Sequence, residues 1–414
     1  MDAAGGTAWS LFRQVDFTRF CLARFLSGAA LQMQNVAVGW LVYDLTQSAL
    51  ALGLAGLAAF LPAIGLALVA GHVADSFDRR RVLAAAYAGN ALAAAGLVLC
   101  AYAGERSLWL IYALIVAAGT SRAFGNPASQ ALLPNLVPRP LLGRAITLAA
   151  TSWQSATVLG PAAGGLLYIL GPQTVFGTAA VFFVAASIAI ATISHRAPPH
   201  EPRALTWGTV LAGIGFIRSR PLLLGAISLD LFAVLLGGAT ALLPIYAQTI
   251  LHTGPVGLGL LRSMPGVGAV AMSAYLATRP LDRNVGHVLF GAIVVFGLAT
   301  IGFGLSTTLA LSMLCLLVAG AADTVSVVVR LTLVQSETPD AMRGRVAAVN
   351  TVFIGASNEL GEFESGLLAA WLGAVPAVVL GGIGTVGVAL LWTRLFPSLW
   401  RRDRLVEEER SRPG

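Results

Sequence analysis

Residues Gly71–Arg81 have the sequence GHVADSFDRRR and separate two apolar stretches at 48–71 and 82–103. Each stretch has about 20 residues, which is enough for a helix to cross a hydrocarbon core about 30 Å thick. The segment between them ends in consecutive arginines, and basic residues collect on the cytoplasmic side of membrane proteins. It therefore predicts a short cytoplasmic loop between two membrane-spanning helices.

Similar apolar stretches recur from one end of the chain to the other. Of the 414 residues, 57% are hydrophobic and only 11% are charged, whereas soluble proteins carry about 25% charged residues. The pattern predicts an all-α membrane protein with twelve transmembrane helices. The predicted spans lie near 19–43, 48–71, 82–103, 108–132, 142–169, 173–194, 221–249, 256–278, 286–305, 308–332, 346–372 and 375–396.

The basic residues are distributed unevenly between the two sides of this map. The chain has no lysine, so all 26 basic residues are arginines. One side holds nearly all the loop arginines, and the other holds only Arg106. We therefore expect the arginine-rich side and both termini to be cytoplasmic, and we do not interpret the net charge of +7 as a nucleic-acid site. The predicted spans indicate a multi-pass protein of the bacterial inner (plasma) membrane, with the lipid bilayer as a partner, and the composition is typical of a GC-rich bacterial genome.

An internal repeat indicates a duplicated architecture. At an offset of 201 residues, Pro138 to Leu167 align with Pro339 to Leu368, with matching Pro, Gly-Arg and Gly positions. Duplicated halves are typical of secondary transporters, whose substrate binds near the midplane. We predict an N-terminal six-helix half (1–194), a central cytoplasmic loop (195–220), a C-terminal six-helix half (221–396) and a cytoplasmic tail (397–414).

The loop at Gly71–Arg81 has a Gly, an Asp four residues later and then a basic cluster. It resembles the cytoplasmic signature of the major facilitator superfamily, although Asp78 stands where that family often has Gly. The resemblance implies a cytoplasmic gate, in which an Asp caps the positive end of a neighbouring helix. The alternative is that the arginines only hold the loop in the cytoplasm. The gate residues implied are Gly71, Asp75, Arg79, Arg80, Gly344 and Arg345.

A second motif lies in the fifth predicted helix, where Ala156 is followed by Gly160, Pro161, Gly164 and Gly165. It is similar to the GxxxGPxxGG motif of superfamily antiporters and implies export. Small residues let helices approach closely, and proline bends a helix. A plain packing face, without bearing on transport direction, is the alternative.

Further segments extend the resemblance over nearly the whole chain. They are Tyr43-Asp44-Leu45-Thr46, the stretch 122–128, the stretch 131–138 and the stretch 344–362. They look like the enterobactin-exporter-like branch of the superfamily, also called the transmembrane secretion effector group, which includes macrolide-efflux relatives. This resemblance implies export of siderophores or lipophilic drugs, driven by proton influx. We also expect a monomer that needs no cofactor.

Ionisable residues inside the predicted spans are candidates for function because they are costly in lipid. Arg122 aligns with Asp323 in the repeat, and at an offset of 206 residues Arg24 aligns with Asp230. Burial penalises a charged aspartate and a nearby arginine favours it, so such groups can carry protons. The candidates for proton coupling and the cavity are Asp323, Asp230, Arg122, Arg24, Glu359 and Glu362. Structural ion pairs between helices are the alternative.

Polar residues of the first predicted helix could also contact a substrate. They are Gln32, Gln34 and Asn35. Such side chains equally serve as hydrogen-bonding links between helices.

Other functional classes fit the sequence less well. An ATP-driven pump needs a phosphate-binding lysine, which this chain lacks. An intramembrane enzyme needs a cluster of catalytic groups, and the five histidines are scattered in loops or at span ends. Three isolated cysteines indicate no metal site. An uptake permease of the same fold, a non-transporting scaffold and an intramembrane enzyme remain alternatives to export, whereas the two-half duplication disfavours a channel.

Overall fold

The computed structural model describes residues 11, 13–104, 107–194, 207–279, 281 and 283–404, and regular structure in these residues is helical. The helices of the first part are α1 (Val15–Thr46), α2 (Ala49–Gly65), α3 (Ala67–Ser76), α4 (Arg79–Ala103), α5 (Leu108–Leu132), α6 (Leu142–Leu167) and α7 (Pro172–Ala191). Leu66, with φ −105° and ψ 2°, interrupts the span predicted at 48–71 and separates α2 from α3.

The second part begins with a helix in a segment that was predicted to be a loop. The helices are α8 (Trp207–Ser219), α9 (Pro221–Gly237), α10 (Gly254–Thr278), α11 (Val285–Leu305), α12 (Leu309–Ser336), α13 (Asp340–Leu372), α14 (Ala374–Leu395) and α15 (Pro397–Trp400). After α9, a 3-10 turn at Ala239–Leu242 leads through Leu243–Ile245 into a π-helical turn at Tyr246–Ile250. Gly237, Gly238 and Pro244 explain this interruption, because glycine pairs and proline break helical geometry.

Eight helices within the described residues are long and apolar enough to cross a membrane. They are Arg79–Ala103, Leu108–Asn135, Pro172–Ala191, Pro221–Ile250, Gly254–Thr278, Val285–Leu305, Leu309–Ser336 and Ala374–Leu395. The helix Ala49–Gly65 is apolar but shorter, and α13 carries several charged residues among its 33 residues. The count of twelve spans and the cytoplasmic position of both termini stay predictions.

Contacts divide the chain into two compact units. Unit 1 draws on Met1–Gln47, Leu54–Leu205 and Thr253–Ser263, and unit 2 on Ser48–Gly53, Thr206–His252 and Met264–Gly414. The start of α10 therefore groups with unit 1, whereas the start of α2 groups with unit 2. The domain boundaries predicted from the sequence stay predictions.

Unit 1 is built around α1 and α4. The helix α1 packs on α6 and α7, while α4 packs on α5 and α7. Phe17, Phe20, Leu83 and Ile190 are almost completely buried in its core. These contacts hold α1, α4, α5 and α6 side by side, which positions the polar residues that they carry.

Unit 2 is built around α11 and α9. The helix α11 packs on α12 and α14, and α9 packs on α13 and α14. Leu229, Phe290, Val329 and Leu333 lie in its core. The apolar side of α8, which includes Ile217, packs with Leu223 and Val346, so burial of this side accounts for the helix that the sequence did not predict.

Candidate functional site

A polar cavity of about 280 Å³ lies within unit 1. Arg24 from α1, Asn90 from α4, Arg122 and Ser129 from α5, and Trp153 from α6 line it. Among the described residues that line this cavity, none is acidic. We call it the Arg24 cavity. It brings together Arg24 and Arg122, and the role in proton coupling that the sequence predicts for both stays a prediction.

The guanidinium of Arg24 makes one side-chain hydrogen bond and lies near two aromatic rings. Its Nη1 donates a hydrogen bond of 3.1 Å to Ser129 Oγ, and its Cζ lies 5.7 Å from the ring centroid of Trp153 and 5.9 Å from that of Phe20. Its Nε is buried without a hydrogen-bond partner. Arginine can donate five hydrogen bonds, so Arg24 retains capacity to bind another group.

Arg122 lies at the same cavity and contacts the backbone of α2. Its Nη2 donates a hydrogen bond of 3.4 Å to Ala59 O. The described lining of this cavity therefore contains two guanidinium groups and no carboxylate.

Unit 2 contains a buried cluster that, unlike the Arg24 cavity, includes carboxylates. Arg330 Nη2 lies 3.0 Å from Asp230 Oδ2, and Arg330 Nη1 donates a hydrogen bond of 3.0 Å to Asn350 Oδ1. Arg330 is 2% exposed and Asp230 is 6% exposed. Asp230 is therefore in a buried ion pair, which is the alternative that the sequence analysis gave, although the sequence did not identify Arg330 as the partner.

Asp323 lies beside that pair but does not join it. Asp323, Asp230 and Ser326 line a small cavity of about 10 Å³, which is about the room that one water molecule needs. Among the described residues, none forms an ion pair with Asp323 or donates a hydrogen bond to it, although Asp230 and Arg330 lie within electrostatic range. We call Asp230, Asp323, Arg330 and Ser326 the Asp323 cluster. It holds two carboxylates and one guanidinium, and the Oγ of Ser326 is buried without a partner.

The glutamates of α13 lie apart from this cluster. Glu359 and Glu362 are half-buried in α13, and neither lines the cavity that Asp323 and Asp230 share. Nearby on the same helix, the Oε2 of Glu364 is buried without a hydrogen-bond partner. Their predicted assistance in proton coupling stays a prediction.

The motif glycines of α6 make close helix approaches. A Cβ placed on Gly160 would lie 2.7 Å from Gln32 Cβ, and one on Gly164 would lie 2.8 Å from Met33 Cα, both in α1. Gly165 faces the start of α10, where a Cβ would lie 3.0 Å from Gly259 Cα. Pro161 is buried inside α6. These residues therefore set the spacing of α6 against two neighbours in unit 1.

The arginines of the predicted gate bind carbonyl groups of unit 1. Arg79 Nη1 donates to Ala131 O at 3.1 Å, and Arg80 Nη1 donates to Ile193 O. Both carbonyls lie at the C-terminal ends of helices, where positive charge is favourable. Gly71 lies in α3 together with Asp75, whose side chain is outside the described part of the structure. The role of these residues as a gate stays a prediction.

Gly344 and Arg345, the remaining gate residues, lie in α13. Arg345 is exposed, and its Nη1 lies 3.6 Å from Met342 Sδ. A Cβ on Gly344 would meet nothing within 4 Å. The described contacts of these two residues therefore neither support nor oppose a gate.

The loop also contains a helix cap that the sequence analysis missed. Asp78 precedes α4, and its Oδ1 accepts a hydrogen bond of 3.0 Å from the backbone nitrogen of Arg80. Aspartate immediately before a helix is a typical N-cap, so this signal was present in the sequence. The departure of Asp78 from the family pattern has a structural explanation.

The polar residues predicted as substrate contacts lie outside the Arg24 cavity. Asn35 Nδ2 donates a hydrogen bond of 3.3 Å to Gln32 Oε1, while the Oε1 of Gln34 is buried without a partner. None of the three lines either cavity. Among the described residues, no group of three or more His, Cys, Asp or Glu side chains is arranged to hold a metal ion.

The chain is similar in sequence to a known family of membrane proteins. A family model described as transmembrane secretion effector matches residues 6–407. Enterobactin exporter EntS of Citrobacter koseri is 30% identical over 394 residues, covering 93% of this chain and 92% of that protein. EntS of an Escherichia coli strain is 29% identical over 384 residues, covering 91% of each chain.

Solved structures resemble the fold. The nucleoside transporter NupG matches with a TM-score of 0.73 and 13% identity, covering 92% of this chain and 100% of that chain. A D-xylose–proton symporter matches with a TM-score of 0.71 and 14% identity, covering 94% of this chain and 99% of that chain. At this level of identity the likeness concerns the fold alone.

Proposed function

We propose that this chain, which belongs to the transmembrane secretion effector family of the major facilitator superfamily, exports a small molecule of the siderophore or lipophilic drug class. As a member of that superfamily it is a multi-pass transporter of the inner membrane and not an enzyme. The similarity to enterobactin exporters over nearly the whole chain supports both the outward direction and the substrate class.

Export would be driven by proton antiport through alternating access. The observation that carries this proposal is the position of Asp323, which is half-buried and shares a small cavity with Asp230 but lacks an ion-pair partner among the described residues. Arg330 already neutralises Asp230, so one carboxylate of the cluster is left for proton exchange. A buried carboxylate that is alternately charged and neutral can couple proton entry to a conformational change.

The other residues predicted from the sequence would have supporting roles. Asp230 and Arg330 would set the electrostatic potential around Asp323. Glu359 or Glu362 would assist proton transfer to and from Asp323. The cytoplasmic gate would consist of Gly71, Asp75, Arg79, Arg80, Gly344 and Arg345. The glycines of α6 would provide the close packing on which the conformational change depends.

Proton movement in everted membrane vesicles tests this function. Vesicles containing the wild type, Asp323→Asn or Asp403→Asn are energised to a stable pH gradient, and siderophores, macrolides and cationic dyes are added in turn. Asp403 is the matched control, since it is an exposed aspartate of unit 2 outside the spans. We expect a transported compound to collapse the gradient in the wild type and in Asp403→Asn, and to have no effect in Asp323→Asn.

Two results would count against the proposal. If the pH gradient collapsed equally in Asp323→Asn and in the wild type, Asp323 would not couple transport to proton movement. Dependence of net flux on an inward gradient would indicate an uptake permease.

A further inference from the structure

An open groove of about 500 Å³ lies on unit 1, where residues of α3, α4 and α5 line it. Two of its lining residues, Phe77 and Arg81, are 64% and 78% exposed, so the groove is accessible from outside the protein. Among the described lining residues, it shares only Ala86 and Ser121 with the Arg24 cavity. We call it the Arg81 groove.

The body of the Arg81 groove is apolar. Its apolar lining residues are Val73, Phe77, Val82, Ala85, Ala86 and Phe124. The hydroxyls of Thr120 and Ser121, which also line it, donate hydrogen bonds of 2.9 Å to Val116 O and 3.1 Å to Ala117 O within α5. Because these hydroxyl hydrogens are already used, the body of the groove favours an apolar guest.

The groove follows a helix that is long and apolar enough to cross a membrane. Arg81 lies in the first turn of α4, which begins at Arg79, and Ala85 lies one turn further along the helix. Both α4 and α5 belong to the apolar spans. A groove that begins at the end of a span and continues along it meets the headgroup region first and the hydrocarbon core next.

The charged end of the groove retains hydrogen-bond donors. Arg79 and Arg80 donate to carbonyl groups of the protein. Asp78 Oδ1 accepts a hydrogen bond from the backbone nitrogen of Arg80, and its Oδ2 lies 3.6 Å from Arg80 Nη2 but 3.9 Å from Arg81 Nε. Asp78 is therefore used mostly by Arg80. The exposed guanidinium of Arg81 keeps its donors for a group outside the chain, and phosphate oxygens match its geometry.

We propose that the Arg81 groove binds an anionic glycerophospholipid of the bilayer. The phosphate would accept hydrogen bonds from Arg81, and one acyl chain would lie along Val82, Ala85 and Phe124. Charge complementarity selects this occupant, because basic groups at the cytoplasmic ends of spans attract anionic lipids, and this end of α4 is predicted to be cytoplasmic. The bound lipid would fill the space between α3, α4 and α5.

Lipid binding to the purified full-length protein tests the preference for charge. Native mass spectrometry in detergent would compare phosphatidylglycerol with phosphatidylcholine of the same acyl chains. We expect the first phosphatidylglycerol to bind about fivefold more tightly, which is the attraction of one arginine for an anionic headgroup. The free headgroup, glycerophosphoglycerol, has the phosphate without acyl chains and should not bind measurably. If it bound as well as the lipid, the groove would be a phosphate site and not a lipid site.

Two matched variants assign the charge preference to one side chain. In Arg81→Gln, we expect phosphatidylglycerol to lose its fivefold advantage and to bind like phosphatidylcholine. Arg139→Gln is the control, because Arg139 is also an exposed arginine on the predicted cytoplasmic side but does not line the groove. It should keep the full preference. Thermal unfolding like that of the wild type would confirm that both variants are folded.

Photocrosslinking in proteoliposomes locates the acyl chain. A phosphatidylglycerol with a diazirine in the middle of one acyl chain is irradiated, and labelled peptides are identified by mass spectrometry. We expect labels concentrated in 73–86 and 120–124 in the wild type and in Arg139→Gln. Ala85→Phe should remove most of this labelling, because Ala85 is exposed in the groove and a larger side chain there would occupy the place of the chain.

Three further results would overturn the proposal. They are equal affinity of the wild type for the two lipids, an unchanged preference in Arg81→Gln, and labels spread evenly over the lipid-exposed helices. None of these measurements requires a gradient or a transported compound. Failure of the proposed transport function would therefore leave the lipid site standing, and failure of the lipid site would leave the transport function standing.

Discussion

The cavities of the two units are lined by ionisable side chains of opposite type, arginines in unit 1 and aspartates in unit 2. In unit 1, Arg24 and Arg122 line a cavity in which none of the described lining residues is acidic. In unit 2, Asp230 and Asp323 line the cavity, and Arg330 neutralises Asp230. In the internal repeat, Arg24 aligns with Asp230 and Arg122 aligns with Asp323. At each of these two positions, unit 1 has an arginine where unit 2 has an aspartate.

The helix packing of the two units, in contrast, is alike. Gly160 and Gly361 are equivalent in the repeat, and each allows a close approach to a neighbouring helix of its own unit. Gly165 and Gly366 are also equivalent, and they approach Gly259 and Gly53. From this difference on similar packing we infer a division of labour, in which unit 1 would bind an anionic group of the substrate and unit 2 would carry the proton.

The largest expected effect tests the charge difference directly. Arg330→Met should lower the free energy of unfolding by about 3–5 kcal/mol, because it leaves Asp230 buried without its partner. Arg24→Met should cost only about 1 kcal/mol, because it breaks a single hydrogen bond and leaves no buried carboxylate unpaired. Denaturant unfolding of both variants in detergent measures the two losses.

A double variant, Asp230→Leu with Arg330→Met, is the control. Replacing a whole buried ion pair is much closer to neutral than breaking it, so stability should partly recover. Equal losses in Arg330→Met and Arg24→Met would contradict the contrast between the two cavities.

The next effect tests the shared packing. Gly160→Ala and Gly361→Ala should each cost about 1–3 kcal/mol through overpacking, because a Cβ would lie 2.7 Å from Gln32 Cβ and 2.8 Å from Leu235 O, respectively. Thermal unfolding of the two variants measures the cost.

Gly177→Ala in α7 is the matched control for this pair. A Cβ there meets nothing within 4 Å, so the helix should gain about 0.5–1 kcal/mol. If only one of Gly160 and Gly361 proved sensitive, the two units would not share the same packing.

The smallest effect concerns a local difference between the units. Asp78→Ala should cost about 1 kcal/mol, because the N-cap of α4 is lost, whereas Asp78→Asn should retain it. In unit 2, the side chain of Asn284 makes no capping hydrogen bond to α11. A thermal shift series on the two Asp78 variants checks this, and equal stability of Asp78→Ala and the wild type would argue against the cap.

The sequence predicted the helical membrane fold and the family, because both depend on local properties. Apolar stretches of suitable length identify spans in any context, and the loop from Gly71 to Arg81 has a recognisable pattern. Arg24 and Arg122 were also selected as candidates, since a charge in an apolar stretch is visible without knowledge of its neighbours, and their role in proton coupling stays a prediction.

What the sequence did not predict depends on contacts between distant residues. Arg330 and Asp230 are 100 positions apart, and nothing in either segment indicates that they meet. Asn90 was missed because a single asparagine in an alanine-rich helix carries no signal until its surroundings are known. The helix α8 was predicted as loop because its neighbours in sequence are proline-rich and polar, whereas its own apolar side is buried against α9 and α13.

The most direct test of the division of labour is substrate-driven proton movement in proteoliposomes, measured over a range of substrate concentrations. In Arg24→Gln, we expect the half-saturating concentration to rise about tenfold or more while proton movement persists. In Asp323→Asn, we expect no proton movement at any concentration, although substrate still binds. The same loss in both variants, or a shifted half-saturating concentration in Asp323→Asn with proton movement intact, would contradict the account.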